Sequence, residues 1–228
     1  MFKILKDLEL PFEAFKELRD YAKQYSVDFF STPFDKESVD YLESIGMDLY
    51  KIASFEIQDI PLIEYVASKG KPVIISTGIA TLEDIELALS TCKTAGNNQI
   101  TLLKCTSAYP ATLEEANLLT IPDMRERFGV EIGLSDHTTS NLACFGAVAL
   151  GASILERHFT DSMDRNGPDI VNSMDPEALK ELIIGSIELA KMRGGKKEAA
   201  KEEQVTIDFA FATVVTIKPI KKGELFTK

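Results

Sequence analysis

The chain has 228 residues, with 25 Lys and Arg against 36 Asp and Glu, a formal net charge of −11 and 45% hydrophobic residues. That apolar content excludes a disordered chain and is enough for a sizeable core. The acidic balance argues against a general binder of nucleic acid or of acidic membranes, which needs a basic face.

Met1 to Lys6 is too short, and too soon followed by Asp7 and Glu9, to be a signal peptide. No run approaches the roughly 20 apolar residues that span a bilayer. A helix is expected over residues 12–25. From there one pattern recurs: a short apolar run ending in small polar residues, an amphipathic helix, then a turn. The first run, residues 27–30, ends at Ser31 and Thr32. The second, 49–53, carries Lys51 and ends at Ser54; the third, 73–75, ends at Ser76 and Thr77. The fourth, 100–103, leads into Lys104, Cys105, Thr106 and Ser107. The last two are 130–134, ending at Ser135, Asp136 and His137, and 154–155, ending at Glu156, Arg157 and His158. Apolar runs this short, without strict alternation, read as strands buried on both faces.

The intervening segments read as helices. Thr81 with Asp84 three residues on forms a capping-box start, Leu82, Ile85, Leu87 and Leu89 supply the apolar spacing, and Gly96 closes the helix. Gly46 and Gly70 sit where two others stop. Asp175 and Pro176 open a last helix whose face is Ala178, Leu179, Leu182, Ile183, Ile187 and Leu189, ended by Gly194 and Gly195. Alternating strands and helices give a parallel sheet with right-handed crossovers. A repeat of roughly 20–30 residues fits a TIM-type barrel better than a Rossmann sheet. Neither G-x-G-x-x-G nor a Walker A pattern is present. About six units are visible where a barrel has eight, so the expected fold is an incomplete (β/α)8 barrel over residues 1–195. Residues 196–212, rich in Lys, Glu and Ala, read as a linker. Phe209 to Val215 looks β-like, and residues 213–228 read as the beginning of a second domain.

Ligand sites of parallel α/β folds gather at the carboxyl ends of strands. Those ends carry Thr32, Lys51, Ser54, Ser76, Lys104, Ser107, Ser135, His137, Glu156 and His158. Each hydroxyl alone is equally well explained as a helix cap. Together with Lys51 they suit a cradle for a phosphate or carboxylate. The chain has two histidines, His137 and His158, at the ends of successive strands. Neighbouring strands lie about 4.8 Å apart, so both imidazoles can share one ligand. Two imidazoles with oxygen ligands suit Mn²⁺ or a similar divalent ion. The cysteines, Cys92, Cys105 and Cys144, show no C-x-x-C spacing, so neither a disulfide framework nor a zinc ribbon is indicated, and a reduced, cytoplasmic setting fits.

Five segments taken together resemble the bacterial N-acetylneuraminate (sialic acid) synthase family. They are Phe30-Ser31-Thr32-Pro33-Phe34-Asp35, Tyr50-Lys51-Ile52-Ala53-Ser54, Cys105-Thr106-Ser107-Ala108-Tyr109-Pro110, Gly133-Leu134-Ser135-Asp136-His137-Thr138, and the stretch from Glu156 through Asp164-Arg165-Asn166-Gly167-Pro168-Asp169 to Met174. The resemblance covers essentially the whole chain. It implies condensation of phosphoenolpyruvate with N-acetylmannosamine to N-acetylneuraminate and phosphate, with Mn²⁺ (or Mg²⁺ or Co²⁺), for surface or spore-coat polysaccharide. Legionaminate or pseudaminate synthesis is the near variant. The other readings are an inactive remnant or assembly subunit, and a Schiff-base aldolase using Lys51 or Lys104.

The same resemblance implies a barrel followed by a small antifreeze-like domain, in a domain-swapped homodimer. By it His137 and His158 bind the metal, and Thr32, Lys51, Ser54, Ser76 and Ser135 hold the phosphate. Ser107 stands where some relatives carry Asn. Tyr109, Asp169 and Phe209 face the sugar. The family's first two strands, with a Glu and a substrate-binding Lys, have no counterpart here, so the chain is expected to be a fragment holding about strands three to eight. Its exposed sheet edges are expected to drive association with a second copy or rearrangement of the 12–25 helix.

Overall fold

Five short β-branched and leucine-rich runs pair into one parallel sheet: β1 (Tyr50–Ile52), β2 (Val73–Ser76), β3 (Ile100–Cys105), β4 (Glu131–Asp136) and β5 (Leu155–Arg157). Each strand pairs with its successor in sequence, in the order β1-β2-β3-β4-β5. This computed structural model describes Lys6 and residues 9–225. The Met1–Lys6 reading therefore lies outside the described residues, Lys6 excepted, as does the end of the 213–228 region. Among the described residues, the helices α1 (Phe12–Gln24) and α2 (Lys36–Ser44) precede the sheet. The rest alternate with its strands: α3 (Ile60–Ala67), α4 (Leu82–Thr94), α5 (Thr120–Phe128), α6 (Leu142–Ala149) and α7 (Pro176–Met192).

Local chemistry sets these boundaries as the sequence suggests. Thr81 and Asp84 close a reciprocal capping box on α4, and the Asp175 carboxylate accepts from Ala178 N at 2.8 Å to open α7. Gly46, Gly70, Gly96 and Gly194 follow helices in the left-handed region, where a Cβ would be strained. The buried face of α4 differs from the expected one. Ile85, Ala88, Leu89 and Cys92 are buried, whereas Leu82 and Leu87 are exposed, because only the i, i+3, i+4, i+7 stripe meets the sheet.

The sheet has two unlike faces. Tyr50, Ile52, Ile75, Leu102, Ile132 and Leu134 point outward and pack against helix residues such as Ile63, Val66, Ala88 and Ile121. The alternate positions, Lys51, Ser76, Cys105, Ser135 and Glu156, line a cavity on the other face. Five flat strands would hold β1 and β5 roughly 19 Å apart, yet Lys51 Nζ on β1 lies 3.5 Å from Glu156 Oε2 on β5. The sheet is thus strongly curled, as part of a barrel is. A Cβ at Gly133 would collide with the Ile154 carbonyl oxygen and press on Leu103 Cδ2 at 2.6 Å. That same carbonyl accepts from Leu134 N at 2.9 Å, so the bare glycine lets β4 and β5 close. Gly133→Ala is expected to cost about 1–3 kcal/mol of stability. An unchanged urea midpoint would contradict this.

Two expected strands are corrected. Residues 27–30 join no ladder, so the sheet has five strands among the described residues rather than six. Side-chain packing, not backbone pairing, anchors this segment. Phe29 meets Phe15 edge-on at 6.4 Å, and Phe30 borders an apolar cavity of about 600 Å³ with Ile74 of β2, Leu103 of β3, Leu155 of β5 and Ile183 of α7.

The chain divides after Arg193, and residues from Gly194 onward form a separate unit. Within that unit, Lys201–Glu203 make a 3-10 turn leading into α8 (Gln204–Ala210). Phe209 and Ala210 are therefore helical rather than β-like, and residues 211–225 contain no strand. Phe209, Val214 and Ile217 are almost wholly exposed, so nothing among the unit's described residues offers this stretch a ladder or an apolar face. No helix among the described residues is long and apolar enough to cross a membrane.

Candidate anion and metal site

The curled face closes around a cavity of about 290 Å³ at the carboxyl ends of the strands. The register places Cys105, Ser135 and Glu156 side by side on β3, β4 and β5. Lys51 reaches in from β1 and Ser76 from the end of β2, and the loops beyond supply Ser54, Ser107, Tyr109, His137 and His158. Of the residues singled out in the sequence, Lys51, Ser54, Ser76, Ser107, Tyr109, Ser135, His137 and His158 all line this one cavity.

The floor is a set of donors. Lys51 is 6% exposed, and its Nζ donates to Ile52 O at 3.3 Å. Ser76 is 3% exposed, and its Oγ has no hydrogen-bond partner among the described residues. A buried hydroxyl left unpaired costs free energy unless something in the cavity bonds to it. Gly78 N donates to Ser54 Oγ at 3.0 Å, and a Cβ at Gly78 would run into the hydroxyls of Ser107 and Ser54. This glycine keeps open the space the hydroxyls surround.

The histidines form the other wall. Their ring centroids are 5.4 Å apart, and Tyr109 packs on His137 at 4.1 Å and edge-on to His158 at 5.8 Å. His137 Nδ1 lies 2.7 Å from Thr106 O, which fixes that nitrogen as the donor and puts the neutral ring's lone pair on Nε2. His158 Nδ1 is 4.0 Å from Asp169 Oδ2. Burial lowers the pKa of His158, so its ring is held neutral, the form that ligates metals. Burial acts the same way on His137, but the Cys105 thiol and the Thr106 carbonyl outweigh it and raise its pKa. The pair suits one divalent ion that takes its remaining ligands from oxygen donors. Among the described residues no three His, Cys, Asp or Glu side chains are disposed to hold a metal by themselves.

Thr32 is not among the cavity residues, because it follows the 27–30 segment that stays out of the sheet. Asp169 stands beside His158 rather than on the lining. Phe209 belongs to the separate unit from Gly194 onward. Lys104 faces away from the cavity, with Nζ bonded to Thr106 Oγ1 at 2.6 Å and Glu115 O at 3.1 Å. Strand alternation gives the inward place to its neighbour Cys105, a lining residue that sequence reading passed over. Burial raises the pKa of the Cys105 thiol, but the neighbouring His137 imidazole and the Ser54 and Ser135 hydroxyls bring it below the ordinary value. Glu156, a member of the strand-end ring, engages two of the cradle donors. Its Oε1 accepts from Ser135 Oγ at 2.8 Å, and its Oε2 pairs with Lys51. The clue to both residues is the two-residue alternation along β3 and β5.

A model of the NeuB family matches residues 1–198. The N,N'-diacetyllegionaminic acid synthase of Campylobacter jejuni is 42% identical over 229 residues, covering 99% of this chain and 69% of that protein. The pseudaminic acid synthase of Helicobacter pylori is 38% identical, covering 100% of this chain and 67% of that one. The chain thus spans about two thirds of the length of these relatives. The crystal structure of the N-acetylneuraminic acid synthetase of Leptospira borgpetersenii superposes with a TM-score of 0.86 at 35% identity, over 90% of this chain and 72% of that one.

Proposed function

Because the chain belongs to the NeuB family, we propose that its cavity is the phosphoenolpyruvate and metal site of a synthase making a nine-carbon sugar acid. The reaction joins phosphoenolpyruvate to the aldehyde of an N-acetylated amino sugar, N-acetylmannosamine in the simplest case. The methylene carbon of the enol phosphate attacks the aldehyde carbon, water adds at the carbon bearing phosphate, and inorganic phosphate leaves. The observation that carries this reading is the convergence of Lys51, Ser54, Ser76 and Ser135 beside the histidine pair, with the Ser76 hydroxyl buried and unpartnered.

Each residue has a part. Lys51 supplies a point charge to the phosphate, and the hydroxyls supply directed hydrogen bonds. Together they hold the enol in line with the aldehyde, which lowers the entropic part of the barrier. His137 and His158 would hold the divalent ion, probed first as Mn²⁺. When bound, it stabilises negative charge developing on the aldehyde oxygen. Thr106 O keeps the His137 Nε2 lone pair turned to the cavity. Tyr109 and Asp169 flank the histidines where the sugar would enter. The identities to a legionaminic and a pseudaminic acid synthase favour, as a second reading, a sugar carrying two acylamino groups. The antifreeze-like domain and the homodimer remain proposals of the family resemblance.

The test is phosphate release from phosphoenolpyruvate with Mn²⁺ and each candidate sugar, read together with product mass. Release that depends on the sugar, with a nine-carbon acid formed, supports the reading. Phosphoenolpyruvate that does not bind the folded protein overturns it.

A further inference from the structure

Two donors of the cradle are already engaged by a carboxylate of the protein. Glu156 Oε1 accepts from Ser135 Oγ at 2.8 Å, and Oε2 lies 3.5 Å from Lys51 Nζ. Glu156 is the one carboxylate within 4 Å of Lys51 among the described residues. A buried ammonium needs a nearby counter-charge, and the other polar contact of Lys51 is the Ile52 carbonyl. The two Glu156 oxygens therefore stand against the groups that two oxygens of a phosphate would meet. A carboxylate and a phosphate in that space repel each other.

We infer that Glu156 is the exchangeable counter-ion of the cradle. It holds Lys51 and Ser135 in place until an anion arrives, then surrenders both to it. The inference rests on the anion reading of the cavity. The side chain has freedom to move, being 38% exposed on the last strand of the sheet. Beside it, Ser135, His137, Glu156, Arg157 and His158 border a smaller space of about 160 Å³. The exchange does two things. It keeps two donors ordered, so that little conformational entropy is lost when the anion binds. It also returns a negative charge to the cradle after turnover, which speeds departure of the product phosphate. Glu156 is thus a positioning residue, acting on the substrate through Lys51 and Ser135.

Calorimetric titration with inorganic phosphate tests this on the wild-type chain and on Glu156→Gln. The glutamine keeps an acceptor for Ser135 and removes the charge, so phosphate is expected to bind roughly three- to tenfold tighter. Dissociation should slow by a similar factor, while the thermal midpoint without phosphate falls, because buried Lys51 loses its counter-charge. A residue serving only the fold would not yield a gain in affinity. Glu156→Ala, which removes the charge and the Ser135 hydrogen bond together, is expected to gain less. If wild type binds phosphate and both variants bind it no tighter, the exchange is overturned while the cradle stands. If none of the folded proteins binds phosphate, the cradle and the exchange fall together.

Discussion

Asp136→Ala is expected to lower the unfolding free energy by about 3–5 kcal/mol, the loss typical of breaking a buried ion pair on one side. Its partner is Arg157, and the two side chains are 3% and 2% exposed. Arg157 Nε lies 3.3 Å from Asp136 Oδ2 without the alignment of a hydrogen bond, so that contact is purely ionic. The other guanidinium nitrogens donate to Asn141 Oδ1 at 2.8 Å, Thr138 O at 2.6 Å and Asn172 O at 3.3 Å. Asp136 in turn accepts from Thr138 N and Oγ1, each at 3.0 Å. Removing the carboxylate leaves a buried cation with neutral acceptors only. A total stability of about 5–15 kcal/mol would lose a large part. The double variant Asp136→Ala, Arg157→Met is expected to lose clearly less than the sum of the two single changes. Urea denaturation of the four proteins reads both quantities. A loss under about 1 kcal/mol for Asp136→Ala would contradict the ion-pair account. The pair also pins the loop after β4, so His137 should lose its fixed orientation along with the stability.

Lys51→Ala is expected to weaken phosphate and phosphoenolpyruvate binding roughly ten- to a hundredfold, the range for a charged hydrogen bond in a partly desolvated site. Ser76→Ala should cost less than about tenfold, since it removes one neutral bond. Because Glu156 reaches solvent, loss of its Lys51 partner should leave the fold nearly unchanged. Titration with each anion, alongside the thermal midpoint, separates the two effects. Unchanged phosphate affinity in Lys51→Ala would place the anion elsewhere.

How much of this was legible in the sequence varies by residue. Lys51, Ser76, Ser135 and His137 could be found because each sits on or just beyond a strand whose apolar run is unmistakable. The caps at Thr81 and Asp175 were legible because their partners are three residues away. Residues 27–30 misled because an apolar run does not say whether a ladder forms; that depends on a neighbouring strand. Phe209 to Val215 misled similarly: its first two residues close a helix, and the rest finds no strand to pair with among the described residues. Alternation along β3 turns Cys105 inward and Lys104 away, but the apolar run 100–103 does not show that the strand extends to Cys105, where it stands opposite Ser135. The bond between Glu156 and Lys51 depends on the curl of the whole sheet, which no local pattern encodes.

The order of the strands has a consequence for how the chain acquires its site. Every ladder joins strands adjacent in sequence, so each pairing closes a short loop through one helix. The sheet can therefore grow one unit at a time, each addition offering a template for the next. Lys51 and Glu156, by contrast, meet across roughly a hundred residues of chain, a closure whose entropy cost is met only after the intervening ladders exist. Secondary structure and most of the core can thus be in place while the cradle is still unmade. A refolding chain would recover its circular dichroism before it recovers the ability to hold an anion.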